Sequence, residues 1–106
     1  MPVKPIGNQE EFKSTVTGAG GRLIVIDCFA TWCGPCKMIA PYLEQLSTEY
    51  GNVLFLKVDV DEQEEIAQEL GVEAMPTFKF IKGGKVIDTV VGADKAKLKA
   101  TIDKHK

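Results

Sequence analysis

Near-continuous apolar blocks alternate along this chain with stretches in which apolar positions return every three or four residues. Residues 22–30 and 53–59 are almost uninterruptedly apolar, the pattern of strands covered on both faces. Between them, Ile39, Tyr42, Leu43, Leu46 and Tyr50 recur at helical spacing and predict a helix over residues 35–50. Pro41 lies inside that helix, where it removes one hydrogen bond and predicts a kink. Residues 3–6 predict a short strand, and Pro5 places it at a sheet edge. Asn8 with Glu11 three residues on forms a capping-box pattern for a helix that runs to Thr17 and ends at Gly18-Ala19-Gly20-Gly21. Asp61 followed by Glu64 predicts the cap of a third helix, closing near Leu70-Gly71. Residues 77–81 and 85–91 flank Gly83-Gly84, a two-residue hairpin signal. Asp94 predicts the start of a last helix in which Leu98 and Ile102 share one face.

The resulting order, β-α-β-α-β-α-β-β-α, calls for an α/β fold. Alternating units favour parallel pairing, while the Gly-Gly hairpin requires antiparallel strands at one end. The expectation is a central mixed five-stranded sheet flanked by four helices on both faces. With 106 residues and no linker, repeat or low-complexity segment, the chain reads as one domain, residues 1–106. A net charge of −2 offers no general attraction to nucleic acid, and no apolar run is long enough to span a bilayer. Met1-Pro2-Val3-Lys4-Pro5 has neither a secretory apolar core nor the Arg-rich character of a transit peptide, so no leader is expected.

The cysteines carry the chemistry. Of three, only Cys33 and Cys36 are close in sequence, in Trp32-Cys33-Gly34-Pro35-Cys36 directly after an apolar strand. There the first helical turn leaves backbone N–H groups unpaired and the helix dipole adds positive potential. Both favour the thiolate, which is the nucleophilic form. A structural disulfide or half of a zinc site are the alternatives. Zinc needs about four ligands, and the remaining candidates are Cys28 in the strand and His105 at the tail. So few cysteines suit a reducing, intracellular compartment better than a disulfide-stapled secreted domain. Asp27 is a carboxylate within the apolar run, where burial would raise its pKa towards neutrality and suit it to proton transfer. Cys28 falls on the opposite face of the strand and reads as core.

Taken together, Trp32-Cys33-Gly34-Pro35-Cys36-Lys37, Asp27, Lys57, Met75-Pro76-Thr77 and Val91-Gly92-Ala93 resemble the thioredoxin family over essentially the whole chain. The segments Ala30-Thr31-Trp32-Cys33 and Ala74-Met75-Pro76-Thr77 are more similar to small eukaryotic, fungal and cytosolic members than to bacterial ones. The resemblance implies a protein-disulfide reductase. Cys33, nearer the helix start and expected to be the more exposed, would attack, and Cys36 would release the target. Asp27 would act as the base for Cys36 through water, with Lys57 as its electrostatic partner. A cis Met75-Pro76 bond would lie beside the thiols. Trp32, Gly34, Pro35, Val60, Met75, Pro76, Val91, Gly92 and Ala93 would form the docking rim. Gly-Pro between the cysteines favours a reductant over an isomerase or a glutaredoxin.

The implied partners are disulfide-containing target proteins and a thioredoxin reductase drawing on NADPH. No Gly-x-Gly-x-x-Gly run is present, so no bound nicotinamide or flavin is expected, and no metal. Ala74, where vertebrate relatives often carry a regulatory cysteine, argues against disulfide-linked pairing there, and a monomer in the cytoplasm, with the nucleus also open to it, is expected. A non-catalytic module that binds partners through the same groove is the rival reading. Such a module would have no need of both Cys36 and Asp27.

Overall fold

The structure, a computed structural model, describes residues 3–106. Its elements follow the predicted order: β1 (Val3–Pro5), α1 (Gln9–Gly18), β2 (Ile24–Phe29), α2 (Gly34–Glu49), β3 (Leu54–Asp59), α3 (Glu64–Glu69), β4 (Thr77–Lys82), β5 (Lys85–Val91) and α4 (Lys95–His105). The strands form one mixed sheet in the order β1-β3-β2-β4-β5. β1 and β2 run parallel to β3, β4 is antiparallel to β2, and β5 is antiparallel to β4. β1 is an edge strand, where the missing N–H of Pro5 breaks no central ladder.

Strand alternation divides the core in two. On one face Leu23, Val25, Phe55, Phe78 and Phe80 pack against Ile39, Leu43 and Leu46 of α2 and Leu98 and Ile102 of α4. On the other, Ile24, Ile26, Cys28, Leu56, Val58 and Ile81 pack against Phe12 of α1 and Ile66 and Leu70 of α3. Each large side chain fully buried here contributes about 1.5–3 kcal/mol relative to exposure. β2 sits mid-sheet with both faces covered, which is why its sequence reads as continuously apolar.

The helix starts are set by short side chains. Asn8 Oδ1 accepts from the Glu11 N–H at 2.8 Å, and Asp94 Oδ1 accepts from the Lys97 N–H at 3.0 Å. Glu11 reaches back to the Gly7 N–H, at 2.6 Å, one residue beyond the usual capping-box donor. α1 continues one residue past the predicted end, to Gly18. α2 passes through Pro41 as one helix, with the Lys37 carbonyl deprived of its usual donor. Gly83 and Gly84 have φ of 61° and 78°, the pair of positive values that a tight hairpin turn demands. A register shift between Phe80 and Ile81 places a bulge in the hairpin, a departure from strict pairing that alternation alone does not reveal.

One predicted cap is corrected. α3 starts at Glu64 with no side-chain cap, and Asp61 does not serve it. Asp59, at the end of β3, instead accepts from the N–H groups of Asp61 (2.9 Å) and Glu62 (3.3 Å) and turns the chain out of the sheet. His105 also has a more definite place than a helix-end charge. Its Nε2 lies 2.8 Å from Asp88 Oδ2, and the Lys82 ammonium donates to its carbonyl at 2.8 Å, so the end of α4 is pinned to the hairpin. The hydrogen bond from His105 holds the Asp88 carboxyl below its ordinary range.

Candidate functional site

The site forms where β2 ends and α2 begins. After Phe29 the chain leaves the sheet, and the Cys33 N–H donates to the Ala30 carbonyl at 3.2 Å, closing a tight turn. Cys33 is the N-cap of α2. Its Sγ accepts from the Cys36 N–H at 3.2 Å and its carbonyl accepts from the Lys37 N–H, also at 3.2 Å. A sulfur therefore occupies the place usually held by a Ser or Asp oxygen, at the positive end of the helix. Cys33 and Cys36 are joined as a disulfide with their Cα atoms 5.3 Å apart. Gly34 and Pro35, between them, are exposed, and Pro35 falls in the first turn, where an N–H would have no helical partner.

The expected difference in exposure between the cysteines is small: Cys33 is 6% and Cys36 4% exposed. Both cysteines are buried in a cluster with Ala30, against which Phe29, Val60 and Met75 pack. Their surroundings separate them instead. Cys33 Sγ lies 3.7 Å from the Met75 carbonyl oxygen and at the helix cap. Cys36 opens into a hollow of about 280 Å³, lined by Asp27, Ala30, Thr31, Lys37, Ala40 and Lys57 among others.

Asp27 is buried at 4% exposure, and its Oδ1 has no hydrogen-bond partner among the described residues. Burial pushes its carboxyl up from 3.8 to about 7, and the Lys57 charge opposes the rise. Lys57 is its register neighbour on β3 and lines the same hollow. Cys28, next in sequence, lies on the α1/α3 face and is fully buried. Burial, with the Asp27 charge second, pushes its thiol up to about 12, far from the thiolate that exchange requires.

The rim residues are placed differently from one another. Val60 and Met75 pack against the disulfide itself. Met75 and Pro76 are joined by a cis bond, and the Pro76 carbonyl accepts from the Gly92 N–H at 2.8 Å, tying the two loops together. Gly92 has φ of +98°, so it is the backbone conformation that calls for glycine here. Trp32 and Val91 are exposed at 67% and 58%, large apolar surfaces open to a partner. Ala93 packs partly against the α2/α4 core rather than standing free on the rim.

Sequence reasoning missed Asp61. Its Oδ2 accepts from the Trp32 indole N–H at 2.9 Å and so fixes one edge of the exposed ring. An acid just before a helix reads as a cap, and nothing in the periodicity marks it as the partner of a residue 29 positions away. Lys37, Thr31 and Ala40, lining the hollow beside Cys36, likewise carry no signal beyond adjacency to the motif. Among the described residues no cluster of three or more His, Cys, Asp or Glu side chains is placed to hold a metal ion, and no helix is long and apolar enough to cross a membrane.

Comparison with known proteins agrees with this geometry. The family model described as Thioredoxin matches residues 3–104. A thioredoxin of Malassezia sympodialis is 58% identical over 105 residues, covering 97% of this chain and 98% of that protein. Thioredoxin-1 of Schizosaccharomyces pombe is 53% identical over 100 residues, covering 94% of this chain and 95% of that one. The crystal structure of Fasciola hepatica thioredoxin superposes with a TM-score of 0.96 at 47% identity, over 98% of this chain and 100% of the other.

Proposed function

Because the chain belongs to the thioredoxin family, we propose that its thiol-disulfide exchange runs as a relay in which Cys33 attacks and Cys36 releases. The protein is a protein-disulfide reductase, a thiol-disulfide oxidoreductase that works through the Cys33–Cys36 pair without a bound cofactor. In the reduced form, the Cys33 thiolate attacks one sulfur of a target disulfide. A bond forms between Cys33 Sγ and that sulfur, and the other target sulfur leaves as a thiolate. Asp27 then takes the proton of Cys36 through water in the hollow between them. The Cys36 thiolate attacks Cys33 Sγ, the target leaves as a dithiol, and the chain ends as the disulfide. Tethering makes this second attack intramolecular and the mixed disulfide short-lived.

The observation that carries this division is the placement of the two sulfurs, Cys33 at the helix cap beside the Met75 carbonyl and Cys36 beside the buried Asp27. Lys57 limits the rise of the Asp27 carboxyl and so keeps it able to give up its proton near neutral pH. Trp32, Gly34, Pro35, Val60, Met75, Pro76, Val91, Gly92 and Ala93 form the surface on which the target segment lies. The whole of residues 1–106 acts as one domain and as a monomer, an electron carrier in the cytoplasm with access to the nucleus. Its partners are disulfide-containing proteins and a thioredoxin reductase that recharges it from NADPH. A second role as a binding module through the same groove is compatible with turnover.

The test is reduction of insulin with NADPH and a thioredoxin reductase as the sole source of electrons. Wild type should turn over, Cys33→Ser should be inactive, and Cys36→Ser should accumulate covalent complexes with insulin chains. Wild-type reduction no faster than the background without the protein would overturn the reading.

A further inference from the structure

A second hollow, of about 480 Å³, opens between α3 and the loop before the cis proline. Val60, Ala67, Val72 and Met75 form its more buried floor, and the exposed Glu64 and Glu73 stand over it. Val60 and Met75 also pack against the Cys33–Cys36 disulfide, so the hollow shares two of its residues with the surroundings of the reacting sulfurs. Its charge is one-sided. From Val58 to Phe78 the sequence carries seven acids and no Lys, Arg or His. Among the described residues, neither Glu64 nor Glu73 takes part in an ion pair. The hollow that Cys36 lines carries two cations, Lys37 and Lys57, with the buried Asp27 as its one acid, so the balance of charge differs between the two hollows.

We propose that the α3 hollow is a docking groove for target segments carrying Lys or Arg beside the attacked cysteine, which the protein reduces in preference to acidic-flanked ones. A Lys or Arg side chain suits this groove in both its parts. Its methylene stem lies along the apolar floor while its charged head reaches the unpaired carboxylates at the lip. An acidic side chain has no cation there to meet and is repelled by two carboxylates. The preference resides in encounter and docking, where complementary charge acts most strongly, and not in the exchange of sulfurs. It rests on the reductase reading above and adds to it a class of substrate.

The experiment uses the full chain, reduced, against three synthetic peptides. Each carries one cysteine in disulfide linkage to 5-thio-2-nitrobenzoate, flanked by two Lys, two Ser or two Glu. Attack by the Cys33 thiolate forms the protein–peptide disulfide and breaks the peptide–thionitrobenzoate bond. The electron pair leaves with the coloured thionitrobenzoate anion, whose release is followed by stopped flow. At low ionic strength the Lys peptide should react about tenfold faster than the Glu peptide, with the Ser peptide between them. At high salt the three should converge. Glu64→Gln with Glu73→Gln should remove most of the preference, while Glu10→Gln with Glu49→Gln, an equal change of net charge elsewhere, should leave it intact.

Equal rates for the Lys and Glu peptides would overturn the docking proposal and leave the reductase reading standing. So would a preference that both double variants lose alike, since the net charge of the molecule would then be its source. No thionitrobenzoate release from any peptide would overturn both.

Discussion

Replacing Asp27 with asparagine tests the central electrostatic claim about the site, because it keeps the shape of the side chain and removes its charge. Burial holds the Asp27 carboxyl at about 7 in the folded chain, against 3.8 for a free side chain. Between these two values the folded protein keeps a proton that the unfolded chain has lost. Wild-type stability is therefore fully present below 3.8 and falls as pH rises towards 7, where the fall levels off. The interval of 7 − 3.8, at about 1.36 kcal/mol per pH unit, comes to about 4 kcal/mol. The asparagine side chain does not titrate. The difference in unfolding free energy, Asp27→Asn minus wild type, should thus climb by about 4 kcal/mol from about pH 3.5 to about pH 8. Groups away from Asp27 titrate alike in both proteins and cancel, as does any pH-independent difference in packing. Urea unfolding of the oxidised proteins, followed by the fluorescence of the single tryptophan, measures it directly. A difference that stays flat across this range would refute the argument, since it would mean that Asp27 is solvated and ordinary.

Other expectations follow from particular contacts. Cys36→Ser should retain attack and lose release, so denaturing gels run without reductant should show protein–target adducts that reductant dissolves. Gly92→Ala should destabilise by about 1–2 kcal/mol in urea unfolding, through its positive φ alone, because no atom within 4 Å would meet the added methyl. Asp94→Ala removes the side chain that caps α4 and should cost about 1 kcal/mol by the same assay. Asp61→Ala should change the emission of Trp32 while leaving the helical circular dichroism signal of α3 unaltered; loss of that signal would show that Asp61 is a cap after all.

Patterning carried the fold because each rhythm matches a burial. The unbroken run around Val25 and Ile26 belongs to a strand covered on both faces, and the spacing of Ile39, Leu43 and Leu46 belongs to a helix with one. Asn8 and Asp94 were legible as caps because their donors lie three residues away. Asp61 was misread as one: α3 has no side-chain cap, and the partner of Asp61 is Trp32, 29 positions away. The pairing of His105 with Asp88 depends on how α4 returns to the hairpin, a long-range matter with no local signature, and the bulge after Phe80 leaves no mark on the alternation. At the site, Cys33, Cys36 and Asp27 were readable from residue type and context, while Lys57 came only with the family resemblance. The near-equal burial of the two sulfurs was not, because it arises from Val60 and Met75, distant in sequence, closing over the disulfide.

The alternation that puts Asp27 on one side of the sheet and Cys28 on the other also acts as a sorting device. Three cysteines allow three pairings, and an oxidising pulse could in principle yield any of them. A single layer of backbone stands between Cys28 and the other two, and only unfolding would remove it. The folded chain therefore has one oxidised isomer, and repeated cycling between dithiol and disulfide returns it to the same covalent state each time. A disulfide that includes Cys28 would report that the sheet had opened, and Cys28 is a built-in tell-tale for that event.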